Sequence, residues 1–193
     1  MRTSCYDCTR KHLSQAWVNL EAFTFLSGDD SVRALWKTVG HLAEAEDEIL
    51  QIQPSISSLI RQARLAFLRD QLHPDFPALL SAVSSAASSG AVITESLPVA
   101  ITPPPAAQLL TRLAQAAVCF MEAFKGYPQY FGLTQAQLSL AADLAEYINL
   151  PDLKQQIQLR AEQLRQSPDT RQSLDDLLLT AYNELTSSEK AST

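Results

Sequence analysis

Glycine is scarce in this chain, with 5 in 193 residues, and aromatic residues make up only 7%. Sandwiches and barrels draw on both, for tight turns and for strand packing, so the composition points away from them and toward helices. Cysteine is scarcer still: three residues do not make a disulfide framework. Long apolar runs are missing as well, and no stretch approaches the roughly 18–20 residues that a membrane span needs. The opening segment Met1–Cys8 lacks the apolar core of a secretory signal. The expectation is a reduced, cytoplasmic chain with no membrane partner. An excess of positive charge is also absent. The net charge is −6. It is spread evenly, with eight basic against eleven acidic residues in 1–100 and seven against ten in 101–193. Arg10-Lys11 is the one visible basic patch, so nucleic acid is disfavoured as a partner.

What is present is enough apolar material, 46% of residues, to bury a substantial core. Its spacing is helical. Leu13, Ala16, Trp17, Leu20 and Phe23 form one face of a helix over Thr9–Leu26. Ser27–Ser31 breaks it and supplies caps for a second helix, with Val32, Leu35, Trp36, Val39, Leu42, Ala43, Ile49 and Leu50 on one stripe. A third is expected from Ile56 to Leu72, with Leu59, Ile60, Ala63, Phe67 and Leu68 inward. Residues 73–104 read as a Pro- and Ser-rich linker holding a short helix near Ala78–Ser88, with Ala91–Thr94 as a possible extended strap. Helices follow at Pro105–Lys125, Thr134–Asn149, Asp152–Gln166 and Thr170–Thr186, then a flexible tail, 187–193. The fold class is therefore all-α: antiparallel helical units at 1–72 and 105–186, joined by the linker, with an extra C-terminal helix. Overlaying the halves gives seven identities within Leu13–Phe23 at offsets of 100 and 101, which suggests an internal duplication.

The strongest chemical signal is Cys5-x2-Cys8-x3-His12. Two thiols and an imidazole at this spacing select zinc over magnesium or calcium. The thioredoxin-type reading of C-x-x-C calls for an arrangement of strands that the pattern lacks. Three histidines compete to complete the set. In an antiparallel hairpin turning near Asp29, the residue level with His12 falls near position 46, so His41 is about five residues off and His73 is further away. His41 is thus the expected fourth ligand. Glu46 competes, because it interrupts the apolar stripe where a carboxylate needs a partner. It could ligate the metal, orient a histidine, or reach into water. Around it, Glu44, Glu46, Asp47 and Glu48 read as a solvated acidic face. This run resembles the carboxylate helices of all-α nucleotide pyrophosphohydrolases of the MazG type, which hold magnesium, although the carboxylate pair expected on the preceding helix is missing here.

No glycine-rich phosphate loop, G-x-S-x-G or H-E-x-x-H occurs. Cys119 reads as a buried small hydrophobe, and Gly126–Phe131 as an aromatic loop that packs. Residues 5–50, with the opening Cys-Tyr-Asp-Cys-Thr-Arg-Lys-His and the later Gly40–Glu46 segment Gly-His-Leu-Ala-Glu-Ala-Glu, resemble small helical proteins of bacteria and their phages. That resemblance pairs His41 with the cysteine motif and implies no activity. Two functions are expected from the sequence. The first is a helical binding or scaffolding protein with a structural Zn²⁺ on Cys5, Cys8, His12 and His41, serving a protein partner or self-association. The alternative is a metal-dependent hydrolase with an open Cys/His site and a base from Glu44–Glu48.

Overall fold

The computed structural model describes residues 5–70, 73–89, 104–166 and 172–191. Among them are eight helices and no strand: α1 Tyr6–Phe23, α2 Gly28–Ile49, α3 Pro54–Asp70, α4 Phe76–Ser89, α5 Pro105–Phe124, α6 Gln129–Tyr147, α7 Pro151–Gln166 and α8 Gln172–Ala191. The all-α class and the helical units follow directly. The strap expected at Ala91–Thr94 lies outside the described residues.

Helix boundaries are set by local chemistry. Ser27 is extended at the N-cap position of α2 without a side-chain cap bond, and Gly28 takes a left-handed conformation with φ 58° at its start. After α6, Asn149 adopts φ 60°, Leu150 N–H donates to the Ala145 carbonyl at 2.9 Å, and Pro151 opens α7. Helix α1 ends at Phe23, three residues earlier than its periodicity implied, because Thr24, Phe25 and Leu26 close it with turn-type bonds. This early stop changes the register of the first hairpin. Cys5 N–H donates to the Glu48 carbonyl at 3.3 Å, His12 meets His41, and Thr38 Oγ1 lies 3.4 Å from the Ala16 carbonyl. These pairs run antiparallel about a turn near residues 26–27, so His12 is level with His41 rather than with position 46.

In each half the helices close a ring: α1 packs on α2, α2 on α3, and α4 on both α3 and α1; α5 through α8 pair in the same order. Helix α4 therefore belongs to the packed body. Phe76 at its start is buried and stacks on Trp17, with ring centroids 6.1 Å apart. Two further expectations are corrected. Leu59 faces solvent, since the buried stripe of α3 is Ile56, Ile60 and Phe67 with Ser57 and Arg64 beside it. Helix α8 continues through Ser187 to Ala191, where a tail had been expected. The equivalent pairing is one that any two four-helix rings share. The overlay also departs from it in burial: Val18 and Glu21 are exposed, whereas Val118 and Glu122 are buried.

The halves join where α2 crosses α5, with α8 also touching α2. Gly40 is the point of closest approach. A Cβ there would lie 2.6 Å from the Ala114 carbonyl oxygen, 2.8 Å from its carbon and 2.9 Å from Val118 Cγ2. One hydrophobic cluster consequently runs through both halves, including Leu13, Leu42, Leu113, Leu138 and Leu153. Gly40→Ala should force the helix backbones apart and lower stability by about 1–3 kcal/mol in denaturant unfolding. Gly132→Ala is the control. That site is helical with open space around it, so the same change should be neutral or stabilise by up to about 1 kcal/mol.

Candidate metal centre

The C-x2-C motif straddles the start of α1 rather than preceding it. Cys5 is the N-cap, extended at φ −149°, ψ 120°, and its Sγ accepts a hydrogen bond from Cys8 N–H at 3.1 Å. Cys5, Cys8 and His12 are spaced three and four residues apart, so they share one face of α1. That face meets α2. His12 Nδ1 lies 3.1 Å from His41 Nδ1, with ring centroids 5.4 Å apart and the planes tilted by 37°. Both imidazoles are sealed from water, at 1% and 3% exposure. Burial is the main reason that the His41 pKa is lowered to about 3. The nearby His12, Lys125 and Lys11 add to the effect, and Glu122 opposes it. At neutral pH His41 is an uncharged imidazole, the form that binds metal. The Cys8 thiol is pushed up to about 12, first by burial, then by its hydrogen bond with Cys5, the Cys5 charge and Glu48. A bound cation reverses that balance, because it stabilises the thiolate directly. Among the described residues, no three His, Cys, Asp or Glu side chains already converge as a coordination shell.

The acidic run of α2 does not form a solvated face. Glu44, Glu46 and Glu48 are all buried, because α1, α3 and α5 each cover a different side of α2. The carboxylates are shared out among those neighbours. Glu46 faces α3, where Arg64 donates to it at 2.8 Å and Arg61 also bonds it. It is thus neither the solvent-reaching group nor the histidine partner that the sequence allowed. Gln115 of α5 donates to Glu44 at 3.2 Å and to Asp47 at 3.0 Å, while Arg112 donates to Gln115 and Gln137 at 3.1 Å each. Tyr130 places its hydroxyl 3.5 Å from Glu48.

Sequence reasoning missed Glu122, Gln115 and Arg64. Burial opposes ionisation of Glu122, but hydrogen bonds from Lys11 and Lys125 outweigh it and hold the carboxyl below the usual range. Lys11 also lies 4.9 Å from the Tyr127 ring centroid, and Arg10 pairs with Asp7. The visible basic patch is therefore engaged within the chain. The signal for these residues lay in polar positions of α3 and α5 on sides that an amphipathic reading turns outward. His73 packs edge-on against Phe67, apart from the histidine pair, and Cys119 is fully buried.

Two consequences can be measured. Glu46→Leu leaves Arg64 buried without its carboxylate, which should cost about 3–5 kcal/mol; adding Arg64→Met should recover most of the loss. Separately, His41 in the unfolded chain takes up a proton near its ordinary 6.5, but in the fold only near 3. Between those values the unfolded state holds more protons, so stability is present above pH 6.5 and is lost on acidification, by up to about 1.4 kcal/mol per pH unit. Denaturant titrations between pH 7 and 5, in chelator so that metal release plays no part, should show this slope. His41→Asn should flatten it.

The arrangement brings two imidazoles together between two helices and keeps water away from them. No protein family, no curated protein and no solved structure matches this chain.

Proposed function

We propose that this chain is a helical binding or scaffolding protein whose first helix pair is locked by one Zn²⁺ on Cys5, Cys8, His12 and His41. The observation that carries this reading is the 3.1 Å approach of His12 Nδ1 to His41 Nδ1 across α1 and α2, with Cys8 one turn from His12 on the same face. Zinc–nitrogen bonds of about 2.0–2.1 Å in a tetrahedron put two ligating nitrogens ~3.3 Å apart, so the imidazoles already stand near that separation. Two sulfurs and two imidazoles form a closed donor set of the kind that serves structure. The ion would tie the start of α1 to the later turns of α2, and a reducing cytoplasmic setting would keep both thiols available.

Burial argues against the hydrolase alternative. His12, His41, Glu44 and Glu48 are all nearly sealed, which leaves a substrate little access. Glu46 is held by two arginines, and Glu44 and Asp47 are bonded by Gln115. Any partner-binding surface must lie elsewhere, since the acidic run faces inward. Val18, Phe25 and Leu26 of α1 and the turn after it are exposed, with Phe25 at 88%. They supply apolar area suited to a protein partner or a second copy. Among the described residues no helix is long and apolar enough to cross a membrane.

Elemental analysis of protein kept reduced and never exposed to chelator should find one zinc per chain. Cys8→Ser and His41→Ala should each weaken zinc binding at least tenfold and lower the melting temperature; His73→Ala should do neither. Metal-free protein, or equal zinc affinity in His41→Ala, would overturn the reading.

A further inference from the structure

We propose that Cys5 and Cys8 are a redox modification site, closing to a reversible intramolecular disulfide under a hydroperoxide oxidant. The inference concerns the same two thiols as the zinc reading. Only the accompanying metal release rests on that reading; the disulfide does not.

The geometry of the helix start carries it. Residues three apart at the first turn of an α-helix have Cα atoms ~5 Å apart, inside the roughly 4.4–6.8 Å range that disulfides span. Cys5 stands at the N-cap in an extended conformation, with only its carbonyl in the helical ladder, so its side chain can turn without breaking a bond between turns of α1. Its sulfur is already directed at the first turn, where it accepts from Cys8 N–H at 3.1 Å. Forming the S–S bond gives up that one cap and leaves the bond from Thr9 N–H to the Cys5 carbonyl, at 3.1 Å, in place.

Accessibility then selects the pair. Cys5 and Cys8 are both partly exposed, whereas Cys119, the third free cysteine, is fully buried in α5. An oxidant arriving from solvent meets two thiols side by side and cannot reach the third. The chemistry balances in two steps. Burial keeps the proton on Cys8, so the Cys5 sulfur attacks a peroxide oxygen, the O–O bond breaks, and a sulfenic acid and an alcohol (water, for hydrogen peroxide) result. The second thiol attacks that sulfur, the S–O bond breaks, and water leaves as the disulfide forms. Two electrons pass from the thiols to the peroxide, and a dithiol reverses the reaction by exchange. A disulfide sulfur is no longer a thiolate ligand, so oxidation would release a zinc held there.

The test uses the full chain, first stripped of metal and reduced, then treated with one equivalent of hydrogen peroxide. Intact mass should fall by two hydrogens, two of the three thiols should vanish, peptide mapping should link Cys5 to Cys8, and dithiothreitol should restore all three. Cys8→Ser removes the partner sulfur, so its mass should instead rise by oxygen at Cys5. Three surviving thiols, pairing through Cys119, or a disulfide between chains would overturn the proposal. In zinc-loaded protein, a metal-sensitive dye should record one zinc released per disulfide. Pairing in a protein that never carries zinc overturns the metal reading and leaves this inference standing. Zinc binding by a protein whose stripped form fails to pair overturns this inference alone.

Discussion

Helix α2 carries six acidic residues, and three of its glutamates lie in the interior. Removing a carboxylate from water is costly unless it is hydrogen-bonded or paired. Two neighbours of α2 answer that cost on different sides. Helix α3 supplies Arg61 and Arg64 to Glu46, and α5 supplies Gln115 to Glu44 and Asp47. Helix α1 brings its N-terminal backbone to the Glu48 carbonyl. The positions of α1, α3 and α5 are thus specified by polar partners as well as by the apolar stripe. A buried group left unpaired costs more than a paired one contributes, so these contacts act chiefly against alternative packings.

The second constraint is steric. At Gly40 the backbones of α2 and α5 approach so closely that no side chain fits between them. That contact lets Gln115 reach Glu44 and Asp47, and it fuses the apolar interiors of the two halves into one cluster. Helix α5 is covered on more than one side as a result, with Glu122 and Gln115 enclosed beside Leu113 and Phe120. Lys11 reaches Glu122 from α1, so the same basic residue that follows the cysteine motif helps hold the halves together.

The α1–α2 seam combines two kinds of chemistry. Its deep end holds two buried imidazoles, of which His41 is neutral; its outer end holds two thiols within reach of solvent. A cation bound along this face would draw on both, while an oxidant would meet only the thiols. The arrangement follows from the antiparallel register, which sets Cys5 against Glu48 at the open end and His12 against His41 inside.

Apolar spacing by itself determined the helices, their order and the all-α class, because a period near 3.6 residues is a local property of the chain. It also placed Leu13, Leu42, Leu113 and Phe120 inside; the expected set Cys5, Cys8, His12 and His41 came from motif spacing instead, and within it the structure brings His12 to His41. Tertiary structure decided what lies level with what. The stop at Phe23, made by turn bonds that the apolar pattern does not show, moved the hairpin by five residues and brought His12 to His41. It also decided the fate of the charged residues. Whether Glu46 meets water, a metal or an arginine depends on which helix covers that side of α2. Amphipathic patterning marks only one buried face, and α2 and α5 are covered on several. Enclosure on the remaining faces is written in the neighbours, Arg64, Gln115 and Lys11, whose partners lie 18 to 111 residues away along the chain.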